Sequence, residues 1–407
     1  MNFWAKKNIS LIVSGGIAAY RACDLIRTFR REGASVSVVA TKSALEFVTE
    51  LSLQALSGEL VNSDLFNPIL ADGMDHIHQT KNSDILIIAP ATANLIAKMA
   101  TGIADDLAST TILAYDGPKL VAPAMNSRMW QNPATQRNVA QLKKDGVQFI
   151  DPNSGALACG EEGEGRLAPI EDIVEAAQSL LTPKILAGHR LLITAGPTHE
   201  AIDPVRFISN HSTGKMGLSI CKAALYAGAQ VVLIHGPLKN DPPQGVELQP
   251  ATSAQEMYDK SMAAWANGCT GAILTAAVGD YRPVTQETQK IKKNKDNKQL
   301  TLELTVNPDI LATLAAKKDG RVVVGFAAET GEALKRGREK IKRKNCDLLV
   351  INDLLDAHSG FGVDTNQVTV LYNSGKEEPW PLLSKDMVAA KLIQTIATLL
   401  NTNKNNG

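Results

Sequence analysis

The sequence has no disulfide or zinc framework. Its five cysteines, Cys23, Cys159, Cys221, Cys269 and Cys346, are scattered, odd in number and without a CxxC pair. Any cysteine with chemistry to perform acts alone. Net charge is missing too, with 42 basic residues against 42 acidic ones, so no global field draws the chain onto nucleic acid or an anionic membrane. No apolar run approaches the roughly 20 residues of a spanning helix, and the opening MNFWAKKNISLIVSGG holds no apolar stretch of signal length before its first glycines. A soluble cytoplasmic protein is expected, with small molecules or copies of itself as partners. Two nucleotide signatures are also lacking. GxGxxG with a following acidic ribose ligand is not found, which argues against a nicotinamide-dinucleotide dehydrogenase. The Gly-Lys pair in SNHSTGKMG (209–217) fails as a Walker A loop at both ends, because Ser209 stands where its first glycine belongs and Met216 follows Lys215.

With 407 residues, 44% of them hydrophobic, the chain can bury more than one core. Apolar runs of strand length alternate with longer helical patterns, which predicts α/β architecture with mainly parallel sheets. NISLIVSGG reads as a strand entering a glycine turn, AAYRACDLIRTFRREG as an amphipathic helix closed by Gly33, and ASVSVVA, DILIIAP, PKLVAP and GVQFI as further strands. A proline and a glycine in LTPKILAGHR (181–190) mark a boundary, after which LLITAGPT, AQVVLIHG, GAILTAAV, RVVVGFAAET and CDLLVIND repeat the alternation. The expectation is two tandem Rossmann-like domains, a flavodoxin-like one over 1–186 and a Rossmann-like one over 187–400, then a disordered polar tail over 401–407. Such folds place ligands at the C-terminal ends of the strands.

In the first domain, Ser14, Gly15, Gly16 and Ile17 follow a strand and open a helix, with backbone N–H groups and a hydroxyl in reach of a phosphate. Adjacent glycines without a third suit a single phosphate better than a pyrophosphate. Thr41, Ser43, Thr92 and Asn94 sit at two further strand ends, and the set suggests a mononucleotide, flavin mononucleotide (FMN) above all. Each stretch alone is more often a helix cap than a ligand contact. GMDHIHQT carries His76, with His78 as an internal decoy; APAMNSRMW carries Asn126 and Met129; LACGEEGEGRLA carries Cys159 in a loop suited to a mobile clamp.

These four motifs in this order resemble the flavin-dependent cysteine decarboxylase family. Through to KRKNCDLLVIND the chain resembles the bifunctional phosphopantothenoylcysteine decarboxylase/phosphopantothenate–cysteine ligase family of coenzyme A biosynthesis. The resemblance implies that His76 is the catalytic histidine, that Asn126 binds the substrate carboxylate with Met129 nearby, and that Cys159 is the proton donor on the clamp. The chemistry suits those residue types. Direct decarboxylation would leave an unstabilised carbanion, whereas removing two electrons from the cysteine unit first gives a thioaldehyde that accepts the electrons CO2 leaves behind. The resulting ene-thiol then needs a proton and a hydride.

The second half carries TAGPTHEAIDPVRFISNHSTGKMG after its first strand. There the resemblance implies a ligase that joins 4'-phosphopantothenate to cysteine with CTP through an acyl-cytidylate, so that its product, 4'-phosphopantothenoylcysteine, feeds the first domain. Asn210 matches the asparagine that holds the activated acyl group, and Arg206 is suited to a carboxylate or phosphate oxygen. Ala276 and Asp280 of AAVGDYRP, Asn307, Pro308, Asp309 and Ile310 of VNPDIL, Phe326 of GFAAET, and Lys340 and Lys344 of REKIKRKN match nucleotide contacts. Asp280 also stands at a strand end where it can meet Mg2+. Lys290 matches a lysine that stabilises charge on the transferring phosphoryl group. By itself, its run of five lysines over 290–298, without aromatics, reads as a solvated loop. Gly279 departs from the family, where alanine is more usual. The resemblance further implies trimeric flavin domains and dimeric ligase domains in a dodecamer, and sets aside a non-catalytic flavin-binding regulator.

Overall fold

The computed structural model describes residues 3–65, 82–156, 162–292, 299–329, 332–353 and 363–405. They form two compact units, Met1–Thr182 and Pro183–Gly407. The first contains β1 (Asn8–Val13), β2 (Ser35–Ala40), β3 (Val61–Asn62), β4 (Ile85–Ala91), β5 (Lys119–Pro123) and β6 (Gln148–Phe149), all parallel, in the order β3-β2-β1-β4-β5-β6. Every residue of β4 is buried, as expected of a strand covered on both faces. Successive β1 residues feed opposite cores: Leu11 and Val13 pack with Leu25, Ile26 and Phe29 of the helix Arg21–Arg31, while Ile12 joins Leu95, Ile112 and Trp130. Each such side chain, fully buried, is worth about 1.5–3 kcal/mol. The helix Arg21–Arg31 ends as its sequence requires, at Gly33 with φ 88°.

The second unit repeats the plan with β7 (Arg190–Ala195), β8 (Gln230–His235), β9 (Glu247–Pro250), β10 (Gly271–Leu274), β11 (Val322–Glu329), β12 (Leu348–Asp353), β13 (Val368–Tyr372) and β14 (Glu377–Pro379). Its order is β9-β8-β7-β10-β11-β12-β13-β14, with β13 and β14 antiparallel at the edge. Leu191 and Ile193 face the helices Lys215–Tyr226 and Lys385–Asn405, whereas Leu192 faces Met257 and Trp265 on the helix Ala254–Ala266.

The first sheet has the order 3-2-1-4-5-6, shared with the parallel part of the second, so both units are doubly wound α/β folds as expected. Hydrophobic periodicity identifies a strand but does not encode its neighbour. The tail expected over 401–407 is helical through 405, because Leu392, Ile393, Ile396, Ala397 and Leu400 bury one face and an anchored helix gains one hydrogen bond for each residue added.

Candidate functional site

In the first unit the turns after β1 and β4 meet at the point where the strand order reverses. Ser14, only 2% exposed, latches them together: its Oγ donates to the Pro90 carbonyl at 2.7 Å and accepts from the Thr92 N–H at 2.9 Å. The hydroxyl expected to meet a phosphate is therefore occupied by protein. Gly15 lies against the turn after β2, so closely that an added Cβ would stand 2.3 Å from the Ser43 Cβ. Gly16 is different, since its Cβ would find only the Thr92 methyl at 3.8 Å. Thr41 and Thr92 cap their helices, accepting from the N–H groups of Ala44 at 3.2 Å and Leu95 at 3.4 Å. Ile17, Ser43 and Asn94 are exposed beside these turns. Three helix starts thus converge, and first-turn N–H groups have no partner within their own helix, a donor set that fits the phosphate of a mononucleotide such as FMN.

After β5, Asn126 caps the short helix Ser127–Gln131, its Oδ1 accepting from the Arg128 N–H at 2.8 Å. An antiparallel ribbon, Asn153–Ala156 with Glu162–Arg166, docks on this loop. The Met125 N–H donates to the Gly165 carbonyl at 2.9 Å. Gly165, at φ 146°, could carry no side chain, as its Cβ would lie 2.2 Å from the Met125 oxygen. The strands flanking Cys159 are therefore held against Asn126, and Met129 stands 49% exposed on the helix that Asn126 caps. Cys159 itself, and His76 with His78, lie outside the described residues. Among the four described cysteines, burial pushes Cys221 up to about 12 and Cys346 to about 11, and raises Cys23 and Cys269, so none is a thiolate at neutral pH.

The second unit has a cleft of about 840 Å³, ample for a nucleotide and a small acid. It is lined by Asn210, Ala276, Asp280, Asn307, Pro308, Asp309, Ile310, Phe326, Lys340 and Lys344, residues drawn from five stretches of sequence. The Asn210 Nδ2 donates to the Ala277 carbonyl at 3.0 Å. Asn307 acts as a strut: its Nδ2 donates to the Gly279 carbonyl at 2.8 Å, and its Oδ1 accepts from Arg282 at 2.9 Å. Asp309 caps the helix Ile310–Ala316 and pairs with Lys344. The helix Ala333–Lys344 buries Ile341 and Gly337, whose Cβ would lie 2.1 Å from Ile351 Cδ1. That close seat fixes its register, and Lys340, Arg343 and Lys344 line the cleft. Gly279 is less demanding, since a Cβ there would meet Glu200 at 3.4 Å and Thr198 at 3.7 Å.

Lys290 and Arg206 are not among the lining residues. Arg206 is engaged elsewhere. Its Nε donates to Asp203 Oδ2 at 3.0 Å and its terminal nitrogen to the Ile291 carbonyl at 3.1 Å, while Asp203 accepts from the Ile291 N–H at 3.1 Å. The Asp203–Arg206 pair thereby grips both backbone groups of the residue after Lys290. The Arg206 guanidinium, with the N–H groups of Val205, Ile291 and Arg206, holds the Asp203 carboxyl well below the usual carboxylate range.

Sequence analysis did not single out Ser212, Arg343, Asn366 and Lys385, and it moved attention away from Lys215; all five line the cleft. No local pattern could have found Asn366 and Lys385, because only the fold brings them to residues more than a hundred positions earlier. Lys215, Lys340, Arg343, Lys344 and Lys385 make this cleft cationic although the chain as a whole is neutral. Among the described residues no group of three or more His, Cys, Asp or Glu could hold a metal ion. A Mg2+ here would take phosphate oxygens and one carboxylate such as Asp280, the coordination it commonly adopts with nucleotides.

The family model described as DNA/pantothenate metabolism flavoprotein C-terminal domain matches residues 186–400, and the one described as Flavoprotein matches residues 4–182. The coenzyme A biosynthesis bifunctional protein CoaBC of Vibrio vulnificus (strain CMCP6) is 44% identical over 401 residues, covering 98% of this chain and 100% of that protein. The protein of the same description from Bacillus subtilis (strain 168) is 44% identical over 397 residues, covering 97% of each. A crystal structure of the C-terminal domain of a CoaBC protein is 37% identical and covers 54% of this chain and 99% of that one, with a TM-score of 0.46.

Proposed function

Because this chain belongs to the family of coenzyme A biosynthesis bifunctional proteins, enzymes with a flavin-dependent decarboxylase half and a ligase half, we propose a role for each unit. The second joins 4'-phosphopantothenate to cysteine with CTP, and the first decarboxylates the 4'-phosphopantothenoylcysteine so formed. The observation that carries the ligase assignment is the cationic cleft at the C-terminal ends of β7, β10 and β11, where a nucleotide triphosphate and a second anionic substrate can meet.

In the ligase reaction the substrate carboxylate attacks the α-phosphorus of CTP, pyrophosphate leaves, and the cysteine amine then displaces CMP from the acyl-cytidylate. Negative charge develops on oxygen in both steps, so fixed donors and cations matter most. Asn210, oriented through the Ala277 carbonyl, holds the activated acyl group as a neutral donor. Lys340, Arg343 and Lys344 face the triphosphate, and Lys290 stabilises the phosphoryl group in transfer. Phe326 packs against the base beside Pro308 and Ile310, with Ala276 and Asn307 completing the contacts. Asp280 would hold a Mg2+, which would supply charge neutralisation at the triphosphate.

In the decarboxylase unit, Gly15, Gly16, Ile17, Thr41, Ser43, Thr92 and Asn94 would surround FMN, with Ser14 latching their turns in place; when bound, FMN would take two electrons from the substrate and then return them. Asn126 binds the departing carboxylate through its amide, a neutral holder suited to a group that must leave uncharged. His76 serves as acid or base, and Cys159 protonates the ene-thiol. The ligase units associate in pairs. Supporting this, Val205, Phe207, Tyr281, Val284, Leu304 and Val306 are all 45–66% exposed on or beside two antiparallel ribbons of one unit. The trimeric decarboxylase arrangement and the dodecamer follow from the family likeness alone. The chain works in the cytoplasm; no described helix is long and apolar enough to cross a membrane.

Pyrophosphate release from CTP that depends on phosphopantothenate tests the ligase assignment, with Asn210→Asp expected to abolish ligation because a carboxylate repels the acyl-cytidylate. Normal ligation by Asn210→Asp removes Asn210 from that role. A purified protein that is colourless and cannot be reconstituted with FMN overturns the flavin assignment.

A further inference from the structure

Thr198 follows β7 in the second unit and is 0% exposed, so it meets no ligand directly. On one side lies the ribbon of His199–Ala201 and Phe207–Ser209, whose register pairs His199 with Ser209 and so sets Thr198 level with Asn210. On the other lies the turn after β10, joined to the same stretch by a parallel bridge between Pro197 and Ala277. Asn210 belongs to the first side, and Ala277, Gly279 and Asp280 to the second. Thr198 is bonded to both.

Its N–H donates to the Ala277 carbonyl at 3.3 Å, the same oxygen that receives the Asn210 Nδ2 at 3.0 Å. Its carbonyl accepts from the Ser209 Oγ at 2.8 Å, which ties down the residue before Asn210. Its Oγ1 accepts from the Gly279 N–H at 3.0 Å. Glycine has the widest backbone freedom of any residue, so a bond to the Gly279 N–H restrains the turn where the chain does not restrain itself. The Gly279 and Asp280 carbonyls are held separately, by the Asn307 Nδ2 at 2.8 Å and the Asn307 N–H at 2.9 Å. The turn thus has two supports, Asn307 on the side of Pro308, Asp309 and Ile310, and Thr198 on the side of Asn210.

We propose that Thr198 is a positioning residue for ligation, which aims the Asn210 amide through the Ala277 carbonyl and the Gly279 N–H without meeting substrate itself. This rests on the role given to Asn210 above. An amide nitrogen carries two N–H groups. With one of them fixed on the Ala277 carbonyl, the other points in a set direction and can serve the activated acyl group. Once that carbonyl turns, Asn210, which is exposed, loses its aim. A donor that must be found rather than met ready costs rate more than substrate binding.

The test uses the full-length holoenzyme. Thr198→Val keeps the volume and removes the hydroxyl, and it should lower kcat for ligation about tenfold or more, the effect of leaving one buried donor unpaired. KM for CTP and for 4'-phosphopantothenate should stay within about threefold, because Asn307 still holds the nucleotide side. Thr198→Ser restores the hydroxyl and should bring kcat to within about threefold of wild type. A residue needed only for packing gives the reverse order, since valine fills the site and serine leaves it a methyl short. Ser209→Ala, at an exposed position, should lower kcat about threefold or more, the loss of one neutral hydrogen bond. Calorimetric CTP binding checks the folding of each variant, and Ser209→Ala carries the test if the valine variant does not fold. An unchanged kcat in Ser209→Ala, a Thr198→Ser enzyme as slow as Thr198→Val, or a Thr198→Val defect confined to KM for CTP overturns the proposal. Wild-type enzyme without CTP-dependent ligation, or normal ligation by Asn210→Asp, would instead remove the assignment beneath it.

Discussion

Ser14→Ala separates two roles that a serine after β1 can play. If Ser14 serves the cofactor, its loss weakens flavin binding and leaves the apoprotein as stable as before. If it latches the turns after β1 and β4, as its bonds to Pro90 and Thr92 indicate, the apoprotein suffers first. The Pro90 carbonyl keeps the Ser14 N–H, at 3.3 Å, so most of the penalty falls on the Thr92 N–H. Leaving one buried donor unpaired costs about 1–3 kcal/mol, and losing the second, neutral hydrogen bond adds about 0.5–1.5 kcal/mol. The expected loss is about 2–3 kcal/mol, a destabilisation of the first unit alone. Because a two-unit chain need not unfold in one step, the measurement is hydrogen exchange at the Thr92 amide in flavin-free protein, with the denaturation midpoint of the first unit as a second reading. Exchange accelerated about thirtyfold or more is expected at that amide. Unchanged exchange together with weakened flavin binding would refute the latch and return Ser14 to the cofactor.

Further outcomes follow from particular contacts. Gly279→Ala should leave ligase activity intact and raise stability by about 0.4–1 kcal/mol, because a Cβ there meets its neighbours at ordinary distances; a thermal midpoint lowered by the change would contradict this. If Arg206 works by gripping Ile291, its effect passes through Lys290. Arg206→Lys should then slow ligation in the wild-type background and do almost nothing in a Lys290→Ala background, whereas multiplicative effects would mean that Arg206 meets substrate directly. Glu378 offers a pH test. Burial would raise its pKa, but Lys391, Trp380, Tyr372 and Lys376 together hold it down at about 2. A depressed carboxylate contributes stability that is fully present above its unfolded value and is lost as pH falls through the folded one. That contribution should fade from about pH 4.5 to about pH 2, and Glu378→Gln should flatten this part of the acid unfolding curve; an identical curve in the variant would count against it.

Much of the fold was legible because buried parallel strands leave continuous apolar runs and their helices leave a 3.6-residue pattern. The runs at NISLIV, SVSVVA and QVVLIH became β1, β2 and β8. The edge strands β13 and β14 were not singled out. VTVLY is only five residues long though mostly buried, and EEP is three residues long and exposed; pairing with β12 for β13, and with β13 for β14, supplies most of what makes them strands. Site residues followed the same division. Asn210, Asp280, Asn307, Phe326, Lys340 and Lys344 could be named from motifs, and they line one cleft. Ser14 and Asn307 were named for polar groups that the fold directs toward its own backbone. A hydroxyl or amide does not reveal from sequence whether its partner is a ligand or a turn.

The sequence by itself determined that this chain alternates strands and helices in two halves and carries motifs resembling those of a flavin-dependent decarboxylase and a ligase, since local pattern and motif are written in consecutive residues. Only the tertiary structure decided the strand order and the use of Ser14 as a latch. It alone set Lys215 beside Asn366 and Lys385 across some 150 residues of chain. Periodicity acts over a few residues, whereas the charge of a cleft depends on which distant segments the sheet brings to its edge.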